Sequence, residues 1–211
     1  MSSESAIERL DQIAHRLRRE CPWDREQDER SIVPHTVEEA YELADAAHRR
    51  DDAKLLDELG DVLFGVVFLA LLLEERGAGD LSQVADHVRE KLIRRHPHVF
   101  GDVEAETAGE VLRNWEEIKR AEPGYGEIPD MLPASMYARK VQRRAGVDVD
   151  AALPERLDAL GRAGDADERF EALGELMFAL VAVARELKVD PELALRSAAD
   201  RFRERTSSAT T

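Results

Sequence analysis

Acidic residues recur at helical spacing in two short stretches of the chain, EEAYE at 38–42 and ELGD at 58–61. In each stretch two acids stand three positions apart, so a single helix face would carry both of them. These acids are Glu39 with Glu42, and Glu58 with Asp61. Carboxylates in this pattern are suited to holding a metal ion.

A short turn at 50–52 would make the two acidic helices antiparallel neighbours. Each pair would lie about 10 Å from the turn at a rise of about 1.5 Å per residue, so four carboxylates would converge between the helices. Because carboxylates that close repel one another in a low dielectric, the cluster needs a cation or trapped protons. Oxygen ligands without Cys or His favour Mg²⁺ first and Mn²⁺ second.

The alternative is that these acids are solvated surface charges, which are common in a chain with 36% charged residues. The flanking sequence favours a site, because Leu59, Val62, Leu63 and Val66 predict that the second pair lies beside the core. Gly60, between the acids of that pair, is expected to let a helix or a ligand come close.

The elements that must position these acids are predicted to be helices. Thr36 begins a capping-box pattern that predicts the start of the first acidic helix, which would end near Arg49. Asp51 and Asp52 would turn and cap the second acidic helix, which would end near Arg76. Further helices are predicted over 5–20, 81–95 and 108–121. No period-two alternation persists, so the expected fold class is all-α.

The second half of the chain partly repeats the first. LGDVLF at 59–64 recurs as LGELMF at 173–178, and both copies continue into an apolar run and a basic helix end. We therefore predict three segments, namely a first domain, a linker and a diverged second helical module. They span residues 1–121, 122–132 and 133–211.

The second module is predicted to have lost the acidic site. At the positions of Glu58 and Asp61 it carries Ala172 and Glu175, and nothing upstream of them reproduces EExxE. Chemistry is therefore expected from the first domain alone.

Composition excludes several classes of partner. The formal net charge of −15 would repel a phosphate backbone, so a nucleic acid polymer is not expected as a partner. The longest apolar run, at 62–73, is too short to span a bilayer, and the polar N-terminus does not predict a signal peptide. Cys21 is the only cysteine, so an intrachain disulfide is impossible and a cytoplasmic location is expected.

A cluster of cations lies at the end of the helix predicted over 81–95. Lys91 and Arg95 are four positions apart on one face, with Arg94 alongside. In so acidic a chain this cluster could hold a triphosphate, with arginine giving bidentate contacts. The alternative is that the cations are there because the helix C-terminal dipole favours them.

Trp115 and Lys119 lie one helical turn apart in the next predicted helix. A tryptophan can stack on a nucleobase of any identity. The alternative is that Trp115 is an ordinary core residue.

The two acidic stretches together resemble the EExxE…ExxD signature of the MazG-type all-α nucleoside triphosphate pyrophosphohydrolases. The resemblance continues in the family's order through three further blocks within about residues 5–121. These blocks are CPWDREQ at 21–27, EKLIRRHPHVFGD at 90–102 and NWEEIK at 114–119.

This resemblance implies a homodimer that converts nucleoside triphosphates to nucleoside monophosphate and pyrophosphate with Mg²⁺. The implied magnesium ligands are Glu39, Glu42, Glu58 and Asp61, with Glu38 beside them or near the attacking water. The residues implied to contact the nucleotide are Lys91, Arg95, Trp115 and Lys119. The spacing leaves attack at the α- or the γ-phosphorus open, whereas the family's products imply the α-phosphorus.

Two rival functions are considered. A di-iron carboxylate bundle needs Glu-x-x-His pairs on facing helices, and no such pair occurs in the chain. A helical module that senses a nucleotide or mediates dimerisation without hydrolysis stays open, above all for the second module. Metal-dependent release of pyrophosphate distinguishes an enzyme from such a module.

Overall fold

The computed structural model describes residues 5–146 and 150–208, and this part of the chain contains eleven α-helices and no β-strand. The prediction of an all-α fold is confirmed. The chain divides into two compact units, Met1–Lys119 and Arg120–Thr211. The interpretation of the second unit as a diverged copy of the first stays a prediction. No helix in the described residues has the length and apolarity needed to cross a membrane.

The first unit is organised around two long antiparallel helices. Its elements are α1 (Ala6–Glu20), α2 (Pro22–Glu26), α3 (Glu29–Arg49), α4 (Asp52–Glu75), α5 (Leu81–Arg95), α6 (Pro97–Phe100) and α7 (Ala108–Arg120). α3 packs along α4, and α1 and α5 pack on α4 as well. Phe68 of α4 is fully buried with Ile32 of α3, and Val67 packs against Ala14 of α1. The core of this unit therefore lies along the C-terminal half of α4.

Aspartate side chains cap the N-termini of three of these helices. Asp28, Asp51 and Asp80 each accept a hydrogen bond from a backbone N–H in the first turn, of α3, α4 and α5 respectively. Such caps satisfy amide groups that have no partner within the helix. The predicted cap at Asp51 and the predicted helix over 81–95 match the structure.

The predicted start of α3 at Thr36 is wrong. The helix begins at Glu29, where Asp28 and Ser31 form the capping box. Thr36 lies inside the helix and donates its hydroxyl to the carbonyl of Ile32 at 3.2 Å. Burial of Ile32 against α4 stabilises the extra turns although Pro34, within them, lacks a backbone donor. The acids at 38–42 therefore lie in the middle of α3.

Two predictions about α4 are also corrected. A Cβ at Gly65 would lie 2.6 Å from Thr36 Oγ1, whereas a Cβ at Gly60 would meet nothing within 4 Å, so the close approach of the helices is at Gly65. Of the four apolar residues predicted to lie beside the core, Leu59, Leu63 and Val66 are 50%, 37% and 38% exposed, whereas Val62 is half-buried. Glu58 of the second acidic pair is nevertheless buried, as predicted. The apolar residues near the acids thus form a surface row, since the core side of α4 carries other residues.

The second unit consists of α8 (Ala134–Ala145), α9 (Leu153–Arg162), α10 (Ala166–Glu186) and α11 (Pro191–Ser208). The other three helices pack on α10, whose buried residues include Ala179 and Ala182. Buried Gln142 of α8 donates its side-chain amide to the carbonyl of Phe178 at 2.7 Å.

Candidate metal centre

Three carboxylates converge between α3 and α4. Glu39, Glu58 and Asp61 each offer one oxygen atom, and these atoms all lie within 4.8 Å of one another. Glu58 is 1% exposed, Glu39 is half-buried and Asp61 is exposed. The antiparallel pairing of the helices brings together acids from two distant stretches of sequence, with the buried carboxylate at the inner end of the cluster.

A lysine that the sequence reasoning missed lies in this cluster. Lys54 forms an ion pair with Glu58, and its Nζ lies 3.8 Å from both Glu42 Oε2 and Asp57 Oδ2. The signal was present, because a lysine four residues before a glutamate shares its helix face. Lys54 therefore supplies one positive charge to a group of converging acids.

The pKa values within the cluster move in opposite directions. Burial raises the pKa of Glu39, and the neighbouring carboxylates of Glu58, Asp61 and Glu42 raise it further. The ion pair with Lys54 lowers the pKa of Glu58 and raises the pKa of the lysine. Lys54 thus favours the charged form of Glu58, whereas the acidic neighbours of Glu39 favour its protonated form. The cluster therefore has too little positive charge to balance all of its carboxylates.

The remaining predicted acids, Glu42 and Glu38, are not among the three converging carboxylates. Glu42 is exposed, and its Oε2 lies 3.8 Å from the Lys54 ammonium. Glu38 is exposed on α3 beside Glu39. Their roles as a ligand and as a water-positioning residue stay predictions.

Two of the cations predicted to bind the nucleotide, Arg95 and Lys119, lie at the ring of Trp115. The guanidinium carbon of Arg95 lies 5.3 Å from the centre of the Trp115 ring, and Lys119 Nζ lies 4.4 Å from it. These distances are in the range of cation–π interactions. Lys91 is half-buried and Arg94 is exposed on the same final turns of α5. The structure thus brings the end of α5 to the ring of a tryptophan on α7.

The donor set at the cluster suits a hard divalent cation. Its three converging ligand atoms are carboxylate oxygens, which Mg²⁺ and Mn²⁺ prefer. Glu58 is buried, and a buried carboxylate needs a compensating positive charge. Lys54 supplies only one such charge. A divalent ion therefore fits this site by charge and by ligand type.

Comparison with known proteins identifies the class. The model of the MazG nucleotide pyrophosphohydrolase domain matches residues 27–100. The chain is 42% identical to the nucleoside triphosphate pyrophosphohydrolase/pyrophosphatase MazG of Thermotoga maritima, over 94% of this chain and 83% of that protein. It is 40% identical to the nucleoside triphosphate pyrophosphohydrolase of Escherichia coli, over 94% of this chain and 85% of that protein.

The chain therefore belongs to the MazG nucleotide pyrophosphohydrolase family, and it is an enzyme of the hydrolase class. The resemblance noted in the sequence is confirmed. A solved structure of a MazG-related protein from Thermotoga maritima, 29% identical, covers 54% of this chain and 98% of its own with a TM-score of 0.48, a likeness too slight to add to this argument. The matched residues 27–100 include the carboxylates and the cations of α5, whereas Trp115 and Lys119 lie beyond them.

Proposed function

We propose that this chain hydrolyses nucleoside triphosphates to nucleoside monophosphate and pyrophosphate in a Mg²⁺-dependent reaction at the carboxylate cluster. The observation that carries the proposal is the convergence of Glu39, Glu58 and Asp61, with oxygens within 4.8 Å, in a family whose relatives are named nucleoside triphosphate pyrophosphohydrolases. The low cysteine content supports a cytoplasmic location.

Four carboxylates would hold the metal, namely those of Glu39, Glu42, Glu58 and Asp61. Bound Mg²⁺, or Mn²⁺ in its place, would neutralise phosphate charge and lower the pKa of a bound water. Lys54 contacts both Glu42 and Glu58, so these two carboxylates would hold a metal together only if Lys54 leaves its present position. Relief of repulsion among the acids favours that rearrangement.

Activation of the attacking water is assigned to one residue of α3. We infer that Glu38, which is exposed beside Glu39, orients the attacking water and accepts its proton. The water oxygen forms a bond to the α-phosphorus, and the bond from that phosphorus to the bridging oxygen breaks. Pyrophosphate leaves with the electron pair of the broken bond.

The cations of α5 and α7 would hold the substrate. Lys91, Arg94 and Arg95 lie on the last turns of α5 and present charges suited to a polyphosphate chain. We infer that Trp115 stacks on the base and that Lys119 supports the adjacent phosphate. Arg95 and Lys119 already lie at the Trp115 ring. This arrangement favours a nucleotide as the ligand, because a nucleotide presents a base and negatively charged phosphates close together.

We also infer that the first unit forms a homodimer through α4. Leu56, Leu59, Leu63 and Val66 are 75%, 50%, 37% and 38% exposed and follow the three–four–three spacing of a helix–helix seam. A row this apolar favours burial against an identical helix. Sedimentation of the full chain should give a dimer, and Leu63→Glu should give a folded monomer; a wild-type monomer would refute this inference.

A second function is proposed for the second unit, which we expect to bind or to assemble without hydrolysis. Glu175 stands where the first unit carries Asp61, and it accepts a hydrogen bond from Arg156 at 2.5 Å. A carboxylate paired in this way is less available to a metal. No equivalent of Glu58 is present, since Ala172 stands at that position.

The test of the hydrolysis proposal is product identity. The full chain is incubated with ATP and Mg²⁺, and nucleotides and phosphates are resolved over time. AMP and pyrophosphate should appear in equal amounts, and an excess of chelator should stop their formation. ADP with orthophosphate would place attack at the γ-phosphorus, and a bound but unaltered nucleotide would favour a sensing module.

A further inference from the structure

A cavity of about 570 Å³ opens in the second unit, where α8 faces the C-terminal end of α10. Five of the residues that line it are cations: Arg139, Lys140, Arg143, Arg185 and Lys188. The lining contains one acid, Asp190. In a chain with a net charge of −15, such a concentration of positive charge in a concave site requires an explanation.

The single acid does not neutralise this cavity. Asp190 forms an ion pair with Arg139, and its Oδ1 also accepts the backbone N–H groups of Glu192 and Leu193 at 3.1 Å. Within the described residues, no ion pair is found for Lys140 or Lys188. The cavity therefore keeps a positive charge that an anionic ligand would neutralise.

The end of α10 places Lys188 in the lining of the cavity. Lys188 follows α10 with a φ of 57°, in the left-handed region that favours glycine. The corresponding end of α4 in the first unit uses Gly77, with a φ of 64°. The hydrogen bonds that end α10, from the N–H of Lys188 to the carbonyl of Arg185 at 3.1 Å and from the N–H of Val189 to the carbonyl of Ala184 at 2.8 Å, account for this conformation and fix the backbone of Lys188 at the cavity.

The cavity is separate from the site that the second unit has lost. The positions of Glu58 and Asp61 correspond to Ala172 and Glu175, in the first half of α10. Arg185 and Lys188 come ten or more residues after Glu175. At a rise of about 1.5 Å per residue, they lie about 15 Å or more from it in the direction of α10. The cations therefore do not belong to a remnant of the carboxylate centre.

We propose that this cavity binds a small anion that carries two or more linked phosphates. Arginine guanidinium groups match phosphate oxygens in a bidentate geometry, and lysines add point charges. The volume lies within the range of about 300–1,000 Å³ that is typical of small-molecule sites. Met136 and Val189 give the cavity an apolar wall, against which the organic part of a nucleotide could pack. A nucleotide and a bare polyphosphate both carry a phosphate chain, and the cations of the cavity would bind that chain in either ligand.

The experiment is calorimetric titration of the full chain with tripolyphosphate and, separately, with ATP, in magnesium-free buffer with chelator. Lys91→Ala/Arg95→Ala serves as the background, because it removes two of the four cations proposed to hold phosphates in the first unit. In this background Lys140→Gln/Lys188→Asn should weaken tripolyphosphate binding at least tenfold. Asparagine is chosen at position 188 because it tolerates the left-handed conformation. Arg203→Gln/Arg205→Gln is the matched control, since it removes two exposed charges of α11 outside the cavity.

Binding of one tripolyphosphate per chain in the background variant, lost on the cavity substitutions and kept within twofold by the control, supports the proposal. Tighter binding of ATP than of tripolyphosphate identifies a nucleotide ligand, and equal binding identifies the phosphate chain alone. Absence of binding in the background variant overturns the proposal, as does an equal loss in the cavity and control variants. Circular dichroism of each variant verifies folding. The result does not depend on hydrolysis, so a failure here leaves the proposed function of the first unit intact.

Discussion

Lys54 and the buried carboxylate of Glu58 form an ion pair one helical turn apart on α4, inside the proposed metal site. The ammonium group also lies 3.8 Å from Glu42 Oε2. Lys54 thus supplies part of the positive charge that a metal ion would supply. Because two cations repel at short range, metal binding and the Lys54–Glu58 ion pair should oppose one another.

The first prediction concerns this opposition. Lys54→Met should lower the melting temperature of the metal-free protein, because Glu58 loses its partner while it remains buried. The same substitution should tighten Mg²⁺ binding by about tenfold, since the metal no longer displaces a cation. Differential scanning calorimetry with chelator and calorimetric titration with Mg²⁺ measure the two effects. Lys54→Arg, which keeps the charge, is the control; weaker Mg²⁺ binding by Lys54→Met would mean that the lysine assists the metal.

A second prediction addresses the carboxylates. Asp61→Asn keeps the side-chain shape but removes a proposed ligand charge, so turnover of ATP should fall at least about tenfold, a loss of about 1.4 kcal/mol or more in the transition state. Thermal stability without metal should not fall, because repulsion with Glu39 is relieved. Asp57→Asn is the matched control on the same helix, and it should retain activity. Comparable turnover by both variants would remove Asp61 from the site.

The sequence was informative where local chemistry decides the structure. The cap at Asp51, the helix over 81–95 and the convergence of Glu39, Glu58 and Asp61 follow from spacing along the chain, and the structure agrees with them. Glu42, the fourth predicted acid, is not one of the converging carboxylates. The start of α3 was not predictable in this way, because two capping-box patterns compete, at Asp28 and at Thr36. Packing of Ile32 against α4 decides between them, and that contact joins residues far apart in sequence.

Contacts between elements also explain what was missed in the site. Gly65, rather than Gly60, lies where Thr36 approaches α4, and only the register of α3 against α4 distinguishes the two glycines. The placement of Arg95 at the face of Trp115 joins α5 to α7, so spacing within one helix could not predict it. The roles of these residues toward substrate stay predictions.

A third prediction concerns the pH dependence of stability. Arg18 of α1 donates two hydrogen bonds of 2.8 Å to the Glu75 carboxylate at the end of α4. Hydrogen bonding to Arg18 lowers the pKa of Glu75 in the folded state. A depressed folded-state pKa stabilises the protein above the unfolded value of about 4.3, and this contribution is lost as the pH falls through the folded value.

Glu75→Gln should therefore reduce the free energy of unfolding by about 0.5–1 kcal/mol near neutral pH, an amount suited to a partly exposed pair. The difference from wild type should disappear in acid. Urea unfolding across this pH range measures it. Glu20→Gln is the control, because Glu20 pairs with Arg16 only within the exposed surface of α1. A difference that persists unchanged in acid would show that Glu75 stabilises by packing rather than by charge.

The last prediction separates base recognition from phosphate recognition. If Trp115 stacks on the base, Trp115→Ala should weaken ATP binding by about 1–3 kcal/mol, the usual scale of stacking of an aromatic side chain on a base. Tripolyphosphate has no base, so the substitution should leave its binding almost unchanged. Arg95→Ala should weaken both ligands, because both present phosphates, and its effect should shrink as the salt concentration rises. The other tryptophan, Trp23, is 53% exposed, and Trp23→Ala is the control for loss of an aromatic side chain.

Both ligands are titrated calorimetrically at fixed Mg²⁺, with a non-hydrolysable α,β-methylene analogue in place of ATP so that turnover does not contribute heat. Each variant carries Lys140→Gln/Lys188→Asn, so that the cavity of the second unit does not contribute. Arg95 and Lys119 lie at the Trp115 ring, so removal of the ring could also displace the cations. In that case Trp115→Ala would weaken tripolyphosphate as much as ATP. Equal losses for the two ligands would therefore assign Trp115 to the positioning of cations, and a selective loss of ATP binding would assign it to the base.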